Sequence, residues 1–159
     1  MASKRYAALA DIKARLAYIT TGNEFNTDAG LHVTMGEVYE LGPDDPQLGI
    51  TVNVGDAAEE FTGSLTNVEL PVEITAYIPA STVDPLLLLE RIIEDIKWAI
   101  EIDDEPGIGR FAGDAVDHGT LPTGVNRAGT RSYPRQPGAS IVGASVTYML
   151  SFQEPWGQP

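Results

Sequence analysis

Two histidines, His32 and His118, are the only side chains whose ordinary pKa suits acid–base work near neutral pH. A general acid or base also needs a positioned partner. Neither histidine stands at a telling spacing from a serine or an acid, and the chain has no cysteine. His32 is expected on the polar face of a strand, and His118 in a glycine-flanked turn. The acid runs Asp44-Asp45 and Asp103-Asp104-Glu105 offer oxygen ligands for a divalent cation. Both adjoin proline or glycine in predicted turns, where acids serve backbone conformation, and the alternating-acid calcium loop is missing. There is no phosphate-binding glycine loop and no nucleophile elbow; Gly107-Ile108-Gly109 follows a helix, the wrong context for a nucleotide fingerprint. The expectation is a chain with no catalytic, cofactor-binding or metal-ligating residues and no cofactor.

Another chemistry is written more clearly. Arg127, Arg131, Tyr133 and Arg135 cluster in a segment rich in glycine and proline, with Arg110 upstream. Arginine and tyrosine combine large contact area with polar handles, as protein interfaces require. These five residues are the candidate partner interface, and they call for an acidic partner surface.

The elements that would carry them read as follows. Residues 4–19 are an amphipathic helix, with Leu9, Ile12, Leu16 and Ile19 on one stripe and Lys13 and Arg15 off it. Ser3 can cap its start. Residues 30–40 form a first strand and residues 48–54 a second. Residues 67–78 form the strongest strand: Val68, Leu70, Val72, Ile74, Ala76 and Ile78 share one face. Pro71 cannot donate to a ladder, so an edge or a bulge is expected there. A helix over residues 83–102 opens on Asp84-Pro85 and buries Leu89, Ile92, Ile93, Ile96 and Ile100, while Glu90, Glu94, Asp95 and Glu101 face out. Residues 109–117 can include a short strand. Residues 122–138 show no periodicity and read as a mobile loop. Residues 140–153 alternate as a last long strand, and residues 154–159 as an extended tail. The class is α+β: one domain with a mixed or antiparallel sheet of about four main strands and two helices on one face.

The net charge of −13 is unevenly spread. Residues 1–19 carry four basic side chains against Asp11, and residues 20–105 carry nineteen acids against only Arg91 and Lys97. Such a chain lacks the concentrated basic face that wraps a nucleic-acid backbone. No apolar run is long enough to span a bilayer, and no secretory signal is expected at the N-terminus. Synthesis in a cytoplasm is the expectation.

The order of elements resembles the tail terminator proteins of long-tailed bacteriophages. The resemblance is carried by the first helix (Arg5-Tyr6, Leu9, Ile12, Leu16, Ile19), by the alternating strand from Val68 to Tyr77, and by the helix Asp84-Pro85-Leu86 through Ile92-Ile93-Glu94-Asp95-Ile96-Lys97-Trp98-Ala99-Ile100. A variable loop and a long last strand containing Tyr148 complete it. It implies a non-enzymatic virion protein at the head–tail junction, forming a homo-oligomeric, hexameric ring that caps the tail tube and stops its polymerisation. Its implied partners are the tail tube protein and the head–tail connector or neck proteins, with genomic DNA passing through the lumen unread and no membrane involved. Another connector or head-completion adaptor is the nearest alternative. A small cytoplasmic enzyme with an acid and histidine site is the alternative of a different class.

Overall fold

The computed structural model describes residues 4–36, 48–101, 125–133 and 140–155. They form an α+β fold with six strands in one mixed sheet. In chain order the elements are α1 (Lys4–Ala17), β1 (Val33–Met35), β2 (Gly49–Val54), β3 (Ala58–Thr62), β4 (Leu65–Pro79), α2 (Pro85–Glu101), β5 (Val125–Tyr133) and β6 (Ile141–Pro155), with short 3-10 turns at Thr21–Asn23 and Ala29–Leu31. The sheet order is β1-β2-β4-β6-β5, and β3 also pairs with β4. Among the described residues only the β1–β2 pair is parallel.

Strand alternation builds the core. The even-numbered residues of β4 from Val68 to Ile78 and of β6 from Val142 to Phe152 are buried, and Ile50 and Val52 of β2 join them. Both helices close over this face: Ala8, Ile12 and Leu16 of α1 and Leu89, Ile92, Ile93, Ile96, Ala99 and Ile100 of α2 belong to the same cluster. Gly30 permits the close approach of the segment after α1. A Cβ there would stand 2.6 Å from the Ile19 carbonyl oxygen and closer still to that of Leu16.

Pro71 sits in a central strand, where a proline is ordinarily excluded. Pairing with β2 ends at Val72 and pairing with β3 begins at Glu69. Residues 55–57 thus face Leu70 and Pro71, a bulge of one extra residue. The Pro71 carbonyl accepts from Gly55 N at 2.9 Å, which puts the missing proline N–H on the same interrupted side.

Several sequence expectations are corrected. β3 was not expected; it and β4 form a hairpin through Gly63-Ser64, with Gly63 at φ 64°. Residues 125–133, expected in a loop, form β5 along β6, because the regular edge of β6 supplies a ladder that even a glycine-containing segment can join. Residues 154 and 155, expected in the tail, still pair with β4. The first strand shrinks to Val33–Met35, with Leu31 and His32 exposed just before it. Arg15 and Asp95 were expected on outward faces, yet they are 4% and 1% exposed, because each points at a neighbouring element that supplies polar partners. Ser3, Glu37, the strand expected within 109–117 and residues 122–124, 134–138 and 156–159 lie outside the described residues.

Candidate functional site

Arg127, Arg131 and Tyr133 all lie on β5, the strand at one end of the sheet. A four-residue spacing would put both arginines on one face of a regular strand. A bulge between Arg127 and Gly129 adds one residue and reverses the alternation. Arg127 therefore faces the helix side, opposite Tyr148, while Arg131 faces the other side, opposite Ser145.

The two arginines are held differently. Arg127 Nε lies 3.5 Å from Glu101 Oε1 at the end of α2. The Tyr148 hydroxyl donates to Glu101 Oε2 at 3.0 Å, so one carboxylate ties α2 to both β5 and β6. Burial, with the Glu101 charge beside it, holds the Tyr148 phenol well above its ordinary value, so it remains a donor. Replacing Tyr148 with phenylalanine should cost about 1 kcal/mol, read as a lowered urea midpoint. An unchanged midpoint would show that the Glu101 bond contributes nothing.

On the opposite face the Arg131 guanidinium lies over the Tyr133 ring, 5.1 Å from its centroid, and is solvent-exposed. The Ser145 hydroxyl donates to Tyr133 Oη at 3.4 Å. Tyr77 covers Gly49, where a Cβ would collide with its phenol, so that glycine makes room for the ring; at Gly143 a Cβ would instead crowd the Ala76 carbonyl oxygen, at 2.9 Å. Arg110 and Arg135 lie outside the described residues. The structure thus brings Arg131 and Tyr133 together and separates Arg127 from them.

At the other side of the sheet, β3 contributes a second charged edge that sequence reading missed. All five of its residues are exposed, among them Glu59 and Glu60. Past Val68 the hairpin of β3 and β4 contains no buried residue, and Phe61 and Leu65 stay 57% and 37% exposed. The end of β6 accompanies it, through the Gln153–Asn67 side-chain bond at 2.8 Å. The two-residue Gly63-Ser64 turn just before the long β4 was the available signal.

The residues with acid–base potential are placed otherwise. His32 is exposed, and His118 lies outside the described residues, as do Asp44-Asp45 and Asp103-Asp104-Glu105. Among the described residues no group of three acids or histidines is arranged to hold a metal ion. Asp95 borders an open groove of about 610 Å³ lined by Asn26, Glu94, Lys97, Trp98 and Glu101. Its carboxylate accepts from Asn26 N (3.0 Å), Thr27 N (2.9 Å) and Thr27 Oγ1 (2.7 Å), a use that binds the segment after α1 to α2. No described helix is long and apolar enough to cross a membrane.

In comparisons with known proteins, no family model and no curated protein matches this sequence.

Proposed function

We propose that this chain is a structural virion subunit that assembles into a ring at the head-proximal end of a phage tail tube, ends tube growth there and joins the tail to the head. The observation that carries the reading is the arm made by β3, the start of β4 and the end of β6. It continues the sheet beyond the core, and residues 58–67 bury none of their side chains. Two- and three-stranded ribbons without a covered face are marginal alone. Exposed Phe61 and Leu65 on such an arm are contact material for a neighbouring subunit. The order of helix, strands, helix and long last strand agrees with the resemblance seen in the sequence.

The charge distribution supports the same reading. A heterologous ring needs one surface of each copy to match a different surface of the next, and this chain carries arginines on β5 and glutamates on β3. An acidic surface facing the lumen would repel the DNA backbone and let it slide.

Electron microscopy of the purified chain tests the assembly, with rings as the expected result. Changing Arg127, Arg131 and Arg135 together to glutamate should impair head–tail joining in a phage assembly assay. Normal joining would remove these arginines from the partner interface, and normal tail length in the absence of the protein would sink the terminator reading.

A further inference from the structure

We propose that copies of this chain join edge to edge, with β3 of one copy adding as an antiparallel strand to residues 129–133 of β5 in the next. The inference deepens the ring reading above by naming the surfaces that meet; the join itself is argued from strand geometry and charge.

Among the described residues both strands are edges: β5 ends the sheet, and β3 pairs only with β4. An open edge presents unpaired backbone groups that template a further strand. Strand direction fits, because β3, β4, β6 and β5 alternate in direction across the sheet. A neighbouring copy placed with its sheet the same way up therefore offers its β5 antiparallel to β3.

Register follows from the faces. Directly opposed residues must share a face. Glu60 lies on the face away from the helices, opposite Asn67, and Arg131 lies on that same face, opposite Ser145. Setting Glu60 against Arg131 pairs all five residues of β3 with the five residues of β5 that follow its bulge. Phe61 then faces Thr130 on the helix side, and Ala58 faces Tyr133 on the other.

Charge selects this pairing over its rivals. Joining β3 to a second β3 sets glutamates against glutamates, and joining β5 to a second β5 sets arginines against arginines. Only the mixed join places opposite charges together, so the residues that guard each edge against its own kind admit the other. A contact between unlike surfaces builds rings or filaments rather than two-fold dimers.

The join is staggered. β3 stands level with residues 151–155 of β6, whereas residues 129–133 stand level with 143–147. Copies are offset by eight residues along the strands, roughly 27 Å. That offset lays the arm of one copy beside the body of the next. In a closed ring it requires strands inclined to the ring axis.

The absence of native cysteine makes the test direct. Glu60→Cys and Arg131→Cys proteins, each checked for a native melting temperature, are mixed and treated with a short bismaleimide. The mixture should give a cross-linked dimer that neither protein gives alone, and the Glu60→Cys/Arg131→Cys chain should give a ladder. By sedimentation velocity, Glu60→Arg or Arg131→Glu should weaken assembly about tenfold, and the double reversal should restore most of it. Oligomers without the mixed cross-link would overturn this join and leave the ring reading standing. A chain that stays monomeric at every concentration would overturn both.

Discussion

Replacing Asp11 with alanine should destabilise the protein by about 3–5 kcal/mol, the usual consequence of removing one partner from a buried ion pair. Asp11 and Arg15 are 6% and 4% exposed between the two helices. Arg15 Nε donates to both carboxylate oxygens of Asp11, at 3.1 and 3.3 Å, and Nη1 donates to the Ala99 carbonyl of α2 at 3.4 Å. Truncating the acid takes from a buried guanidinium the carboxylate that its Nε donates to, and the neutral Ala99 carbonyl does not replace that charge. The Asp11→Ala/Arg15→Met chain should lose much less, because no charge remains buried. Urea unfolding of both variants measures the difference. A loss under about 1 kcal/mol for Asp11→Ala would mean that Arg15 reaches solvent easily.

Asp95→Ala should cost about 3 kcal/mol, because it leaves the Thr27 amide and hydroxyl and the Asn26 amide without the acceptor they converge on. The same segment is clamped by Phe25, which packs edge-on to Tyr18 and at 5.1 Å from the Trp98 ring. The damage should therefore be local first. Hydrogen exchange at Thr27 should quicken before exchange in β4, and uniform quickening would contradict a clamp that acts locally. Burial pushes the Asp95 carboxyl up from its ordinary 3.8, against the pull of its hydrogen bonds. The folded chain then keeps this proton to higher pH than the unfolded chain does. The associated stability is complete below about pH 3.8 and fades as pH rises through the folded value. Relative to Asp95→Asn, the native protein should lose ground as pH rises through that window, measured by paired melts.

Periodicity made the two helices and four of the strands legible, since each buries one face against the core and its apolar spacing records that face. The buried stripe of α2 reads directly as Leu89, Ile92, Ile93, Ile96 and Ile100. β3 and β5 were not legible for the converse reason. Every residue of β3 is exposed, and β5 is exposed save for its half-buried ends, so no apolar alternation marks them. Their strand character comes from ladders with β4 and β6, which a local window does not contain. Buried Asp95 and Arg15 were misread likewise. A charge signals an outward face unless a distant segment supplies its partners, and those partners come from 68 and 84 residues away.

By itself the sequence determined the α+β class, the helix-side core and the concentration of arginine and tyrosine in residues 125–135, because composition and period are properties of local chain. Tertiary structure alone decided how those arginines can be used. One bulged residue between Arg127 and Gly129 turns Arg127 toward Glu101 and leaves Arg131 on the open face. Pairing also lifted Glu59 and Glu60 out of an anonymous acidic stretch onto an exposed edge. Which side chains share a surface depends on ladder register between distant strands, and a shift of one residue there reverses every face.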